Sequence, residues 1–344
     1  MVRLLHHRGP DAQGMHVDDT DAVTLGHSRL SIIDLDHGDQ PLYSRSGGVL
    51  VANTEIYNAA SLRELLGKHM FSTRSDSEVV LHLLADGGIQ ATSKLRGMYA
   101  FAAVIDGELL LGRDPMGIKP LYRGELGGNT VFASELKAFP VGTMGLEPIR
   151  PGTVWSSRSG EHSFFRLPEP ASLGGDMAWH SERVRRALER SVRIRLTSDV
   201  PVGAFLSGGL DSSAVVALMR QHVDELHTFS VGLPGSPDLA AARVVSDHLG
   251  TVHHEHVIDP EEVLEALPSI VHALESSDPD LVRSAVPTYV TARLAARHVK
   301  VVLTGEGADE LFAGYSYHKD IGDHASLDAD IRRSLGELHH ITLQ

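Results

Sequence analysis

Apolar and polar positions follow two different rhythms along this chain, and the change of rhythm divides it into halves. In residues 1 to about 166, short apolar runs recur at short intervals: 23–27 running on into 29–34, then 49–53, 99–105, 108–112, 121–122 and 131–133. Runs of this length between turn residues read as strands. Asp106-Gly107, between two of them, is a hairpin turn signal. Helices are expected at 60–66 and 76–86, the second with Val79, Val80, Leu83 and Leu84 on one face. Clustered strands with two helices predict a layered α+β domain.

Residues 166–179 are rich in Pro and Gly and weakly periodic, which places a boundary there and predicts domains 1–166 and 179–344. A helix is expected at 181–196, with Val184, Leu188 and Val192 as its apolar stripe. Strands at 200–206, 226–232, 252–258 and 299–304 then alternate with helices at 212–222, 238–249, 260–275 and 285–297, and a last clear helix opens at 305–310. Such alternation predicts a doubly wound, mostly parallel sheet. Ligands bind such sheets at the carboxyl ends of the strands. That rule gathers three loops into one site: 206–213, 231–236 and 304–310.

The first loop, Leu206-Ser207-Gly208-Gly209-Leu210-Asp211-Ser212-Ser213, joins a buried strand to a helix. Glycines let the backbone approach a ligand, and a helix N-terminus with Ser hydroxyls beside it favours a phosphate or pyrophosphate. A lone Gly-Gly turn with a Ser cap would carry no such meaning; the full string between strand and helix does. Asp211 and Asp309 are oxygen donors of the kind Mg²⁺ takes alongside substrate phosphates. Asp309-Glu310 also suits a helix N-terminus for its charge alone. Val231 can meet a purine through its backbone, and Glu306 is placed for proton transfer.

Composition narrows the classes. A net charge of -14 argues against non-specific binding to nucleic acid or an acidic membrane surface. With no Cys, the chain has no disulfide, no thiolate metal site and no Cys nucleophile. No run approaches membrane-spanning length and no apolar leader is evident, so a cytoplasmic enzyme is expected. The 21 His residues include His254 and His256 on one face of a strand, but spacing specifies no third ligand, so surface or packing roles are expected for them.

In the first half Arg29, Asn53, Glu55 and Asp76 stand where strands end. Arg suits a carboxylate and Asp or Glu an ammonium, so together they could hold an amino acid, although each alone reads as a surface or capping residue. The strings HRGPDAQG (7–14), RLSIID (29–34), NTEIYN (53–58), SDSEV (75–79), RGMYAFA (96–102), GRDPMGIKPLY (112–122) and ASELKA (133–138) resemble the glutaminase domain of the asparagine synthetase family, a class II, N-terminal-nucleophile amidotransferase. In the second half LSGGLDSS (206–213), FSVGLPGSPD (229–238), LGTVHHE (249–255), VRSAVPTY (282–289) and VLTGEGADELFAGY (302–315) resemble that family's synthetase domain, of the ATP-pyrophosphatase type.

The resemblance implies ATP or pyrophosphate contacts at Leu206, Ser207, Gly208, Gly209, Asp211, Ser212, Val231, Thr304 and Gly305. It implies Mg²⁺ at Asp211 and Asp309, β-aspartyl-AMP chemistry at Glu306, and aspartate recognition at Arg283. Arg29, Asn53, Thr54, Glu55 and Asp76 would bind glutamine, retained in part. A homodimer is implied as well. Three departures stand out. The family's N-terminal Cys is absent, Thr54 replaces the Gly of NGEIYN, and Asp280-Leu281-Val282-Arg283 replaces a usual Thr-Thr-Ile-Arg. Both ends read as cut from a larger protein. The expected function is ATP-dependent amidation of aspartate with ammonia rather than glutamine. Adenylation of another carboxylate for an amide or lactam, and a non-catalytic ATP-binding fragment, remain open on the residues alone.

Overall fold

The computed structural model describes residues 1–337 apart from 19–22, 68, 70 and 169–173. Part of the expected boundary at 166–179, and the His339-His340 pair, lie outside the described residues. The chain divides into two compact units, Met1–Ala171 and Ser172–Gln344.

The first unit opens with a 3-10 helix, Val2–Arg8, followed by the antiparallel pair β1 (Ala12–Asp18) and β2 (Val23–Arg29). Next come β3 (Leu42–Tyr43), β4 (Val49–Ile56), α1 (Ala59–Leu65), α2 (Glu78–Gly87), β5 (Gly97–Ile105) and β6 (Glu108–Arg113). The remaining strands are β7 (Tyr122–Leu126), β8 (Asn129–Ala133), β9 (Met144–Pro148), β10 (Thr153–Ser156) and β11 (Gly160–Ser163). An antiparallel sheet in the order β11-β10-β6-β5-β4-β3 is the centre of the unit, and β8-β7-β9 form a smaller one.

Period-two alternation sorts the central strands into two apolar faces. Leu50, Ala52, Tyr99, Phe101 and Ala103 face a core completed by Leu62 of α1 and by Val79, Val80, Leu83 and Leu84 of α2. Val49, Val51, Ala100, Ala102 and Val104 face a second core with Leu25 of β2, Leu121 and Ile149. Burial on both faces explains why these strands read as continuous apolar runs. α2 departs from the expected one-sided helix, because Leu81 and His82 on its other faces are buried too.

The expected run 29–34 is no strand beyond Arg29. Its guanidinium donates to the carbonyls of Ile33 (3.1 Å), Asp34 (2.6 Å) and Leu35 (3.3 Å), and those carbonyls therefore serve a loop wound around Arg29. Asp34 accordingly takes a left-handed φ of 53°, its carboxylate accepting from the Arg74 N–H.

The second unit runs α3 (Met177–Arg195), β12 (Val202–Phe205), α4 (Leu210–Met219), β13 (His227–Gly232), α5 (Pro237–Leu249), β14 (Val252–Val257), α6 (Pro260–Leu274), α7 (Pro279–Ala295), β15 (Val301–Leu303), α8 (Ala308–Phe312) and α9 (His324–Glu337). Its four strands are parallel in the order β14-β13-β12-β15. The strand order therefore reverses between β12 and β15, and the crevice beyond their carboxyl ends is the switch point where such sheets bind ligands.

Three local expectations differ. α4 begins at Leu210 with Gly209 as its cap, so Asp211 and Ser212 lie inside its first turn. α7 begins at Pro279, not 285: Asp278 caps it, its carboxylate accepting from the N–H groups of Asp280 and Leu281 at 2.9 Å each. The helix then runs through Pro287, which by sequence rules belongs near a helix start. Of the α3 stripe only Val192 is buried; Val184 and Leu188 are exposed.

Candidate functional site

The loop after β12 is held by its own side chains. The Ser207 and Ser212 hydroxyls lie 3.0 Å apart, the Ser207 N–H donates to the Ser212 hydroxyl, and the Gly209 N–H donates to the Ser207 hydroxyl. Gly208 takes φ +78°, and a Cβ there would stand 2.5 Å from the Ala242 nitrogen, so the turn lies flat on α5. Leu206 is buried beneath it, its N–H on the Phe229 carbonyl and its own carbonyl accepting from the Ser230 hydroxyl at 2.7 Å. Ser230 is in turn held by His253 Nε2 at 3.1 Å, while His253 Nδ1 meets Thr228 Oγ1 at 2.9 Å. Burial pushes the His253 pKa down, so its ring works here as a neutral donor and acceptor. Ser207, Gly209, Leu210 and Asp211 are exposed, presenting the first turn of α4 to solvent with the unpaired N–H groups every helix start carries.

The loop after β15 arrives at this turn. A Cβ on Gly305 would stand 3.0 Å from Asp211 Cβ and 3.0 Å from the Ser212 nitrogen. Thr304 and Glu306 flank it, both exposed, with the Glu306 N–H directed at Thr304 Oγ1 at 3.4 Å. Behind them Tyr315 donates to Glu310 Oε1 at 2.6 Å. That hydrogen bond, then burial, then the charges of Glu310, Asp309 and Glu306, raise the Tyr315 pKa. Asp309 packs its carboxylate against Gly314. Among the described residues neither Asp211 nor Asp309 belongs to a preformed cluster of three metal-ligating side chains. Val231 lies half-buried near the end of β13, on the strand beside β12. Arg283 lies exposed in the second turn of α7 and reaches back to Asp280 at 3.2 Å.

In the first unit, a cavity of about 860 Å³ is lined by all five residues expected to hold an amino acid: Arg29, Asn53, Thr54, Glu55 and Asp76. The register of β4 on β5 sets Asn53 opposite Ala100 and Thr54 opposite Tyr99. Asp76 is buried and accepts from the Ile56 N–H at 2.6 Å; burial pushes its pKa up against that bond and one from Thr54. Glu55 is pushed up to about 7 by burial and by Asp76, with Lys119 opposing. Thr54 Oγ1 lies 2.6 Å from Ser77 Oγ. Arg29 is nearly all committed to its loop and to Asp39, whose side chain is exposed.

Spacing alone missed Lys119, which faces Glu55 and Asp76 across this cavity and whose pKa is lowered by burial. Its position is built locally. The buried Asp114 carboxylate accepts from the N–H groups of Met116, Ile118 and Lys119, all at 3.0 Å, and Arg113 donates to the carbonyls of Gly117 and Lys119. His27 was missed as well: burial lowers its pKa to about 4, and its ring bonds the Ala52 carbonyl at 3.1 Å. The signals were present, in the Arg-Asp pair before a Gly and in His within an apolar strand, but neither names a pocket. His7 and Arg8 converge with Lys137 on Glu135. Burial would raise that carboxyl, and the hydrogen bonds from Arg8, Lys137 and His7 hold it below its ordinary value.

Two family models match. Residues 1–147 match a glutamine amidotransferase domain, and residues 183–338 match asparagine synthase. Asparagine synthetase B [glutamine-hydrolyzing] of Escherichia coli is 39% identical over 362 residues, and asparagine synthetase [glutamine-hydrolyzing] 2 of Arabidopsis thaliana is 38% identical over 364. Each alignment covers 98% of this chain; the chain spans 65% and 61% of the lengths of those relatives.

Proposed function

The chain belongs to the asparagine synthetase family, and on that premise we propose that it serves ATP-dependent amidation of aspartate. In this reading a carboxylate oxygen of aspartate attacks the α-phosphorus of ATP and pyrophosphate leaves. Ammonia then attacks the resulting acyl-adenylate and AMP leaves, giving asparagine. The observation that supports the reading is the close approach of Gly305 to Asp211 and Ser212, which brings the loops after β12 and β15 together.

Each residue has work suited to its place. The first turn of α4 with Ser207 and Ser212 offers N–H and hydroxyl donors to the pyrophosphate that must leave. Ser230, steadied by His253, holds the loop from below through the Leu206 carbonyl. Val231, Thr304 and Gly305 border the nucleoside. Glu306, exposed beside Thr304, accepts the proton that the attacking nitrogen loses. Asp211 and Asp309 each offer hard carboxylate oxygens, the donor type that fits Mg²⁺, an ion that keeps waters and takes substrate phosphates. Bound there, Mg²⁺ would neutralise phosphate charge. Arg283 is assigned to aspartate, for which it must leave Asp280.

The cavity of the first unit is assigned to glutamine, with Glu55 and Asp76 toward the ammonium. Arg29 would exchange its bond to exposed Asp39 for the substrate carboxylate. The chain contains no Cys, so ammonia is its proposed nitrogen source. Residues 1–166 as an amidotransferase-type domain, 179–344 as the synthetase domain, a cytoplasmic setting and a homodimer complete the proposal. Among the described residues no helix is long and apolar enough to cross a membrane.

Pyrophosphate release with ATP, Mg²⁺, aspartate and ammonium tests it. Aspartate-dependent release that Glu306→Ala abolishes is the expected result. Release with other carboxylic acids but not with aspartate would move the reading to a different substrate.

A further inference from the structure

Three histidines far apart in sequence meet on one face of the parallel sheet. His227 opens β13, and His254 on β14 lies directly across from Phe229, two residues further along β13 and hence on the same face as His227. His298 comes from the short segment between α7 and β15, where its N–H donates to the Ala295 carbonyl at 2.9 Å. The His254 and His298 rings stack with centroids 3.8 Å apart, His227 and His254 with centroids 5.2 Å apart, and one ligand nitrogen from each ring lies within 4.8 Å of the others. Neighbouring His253 points to the opposite face, toward Thr228 and Ser230, and takes no part.

We propose that His227, His254 and His298 form a site for a divalent transition-metal cation of the Zn²⁺ type. His227 Nδ1 lies 2.9 Å from His254 Nε2, and the far nitrogen of His227, Nε2, lies 3.2 Å from Glu225 Oε1. That is the arrangement of a metal-bound imidazole, with one nitrogen facing the ion and the other donating to a carboxylate that fixes the tautomer and raises ligand basicity. Zinc–nitrogen bonds of 2.0–2.1 Å in a tetrahedron require nitrogens about 3.3 Å apart, between the 2.9 Å and the 4.8 Å limit found here. The rings are stacked, so binding would require them to rotate out of the stack, most freely at exposed His298, until their in-plane lone pairs converge. The fourth position is left for water. Imidazole ligands without thiolate suit Zn²⁺, Ni²⁺, Cu²⁺ or Co²⁺ and disfavour Mg²⁺ and Ca²⁺.

The location sets the consequence. His227 begins β13 and pairs with Gly203, so it stands roughly 10 Å along the strand before the loop at 206–213. An ion here would tie the end of α7 to β13 and β14 without touching the reacting groups. The inference is independent of the proposed amidation.

Titration of the tag-free, chelator-stripped full chain with Co²⁺ and Zn²⁺ tests it. One Co²⁺ per chain should bind with the strong visible d–d absorption of a tetrahedral nitrogen site, and one equivalent of Zn²⁺ should bleach it. The absence of Cys leaves no thiolate to mimic the signal. His298→Ala should weaken binding at least ~10-fold, and Glu225→Gln about as much. His256→Ala, on the same strand but bound to Glu262, should leave it unchanged. Because His298 is exposed, its variant keeps the fold, which circular dichroism verifies. Parent-like Co²⁺ spectra and affinity in His298→Ala, or no tetrahedral band in the parent, overturn the proposal.

Discussion

A Cβ placed on Gly305 would stand 3.0 Å from Cβ of Asp211, so the loop leaving β15 rests directly on the first turn of α4. A methyl group there would require the facing turn of α4 to give by a few tenths of an ångström. Gly305→Ala is therefore expected to weaken ATP–Mg²⁺ binding about tenfold, equivalent to about 1.4 kcal/mol, while an exposed loop changes the melting temperature little. Calorimetric titration alongside a melting curve checks this. ATP affinity equal to the parent's would mean that the two loops do not act as one site.

Gly208 combines two constraints, φ +78° and a Cβ direction that ends 2.5 Å from the Ala242 nitrogen. Gly208→Ala should cost about 1–3 kcal/mol of stability from the backbone strain alone. Its urea midpoint should drop more than that of Gly235→Ala, where φ is +76° but nothing lies near.

Glu55 titrates at about 7 because burial and Asp76 disfavour its charge. Glutamine's ammonium favours the ionised form, so below that pH binding must displace a proton. Affinity for glutamine should rise roughly tenfold per pH unit toward 7 and level off above it. Glu55→Gln should flatten the profile. Lys119→Met should shift the rise to higher pH, since Lys119 is the group that lowers Glu55. Binding followed by glutamine-detected NMR from pH 5 to 8.5 supplies the curve.

Glu78 is buried, which raises its pKa, yet the His82 ring 3.5 Å away and hydrogen bonds from the Ser72 N–H and the Thr73 N–H and hydroxyl bring it down to about 2. The unfolded carboxyl titrates near 4.5. Between those values the unfolded chain holds more protons, so stability is present above pH 4.5 and is lost as pH falls toward 2. The loss is on the order of 3 kcal/mol. Urea unfolding of parent and Glu78→Gln at stepped pH should show the parent's advantage shrinking across that window. A constant difference would assign the stabilisation to something other than the charge.

Element type in both units was legible because period-two runs and strand–helix alternation are local properties. Boundaries failed where a side chain overrode the pattern. Arg29 claimed the carbonyls of 33–35, and α7, capped by Asp278, begins at Pro279, six residues before the expected start at 285. Lys119 was present within a quoted motif, but its place opposite Glu55 depends on the Asp114 cage and on β4, more than sixty residues earlier.

Sequence by itself determined the chemistry on offer: a Ser-Gly loop between strand and helix, carboxylates after a later strand, and no thiol anywhere in the chain. Tertiary structure alone decided which of these meet. The strand order β14-β13-β12-β15 sets residue 305 on residue 211, and the pairing of β13 with β14 sets His227, His254 and His298 together. The physical reason is that backbone hydrogen bonds across a sheet fix register between segments whose separation along the chain carries no information about it. Motifs can therefore be read in one dimension, whereas convergent ligands appear only after the strands have paired.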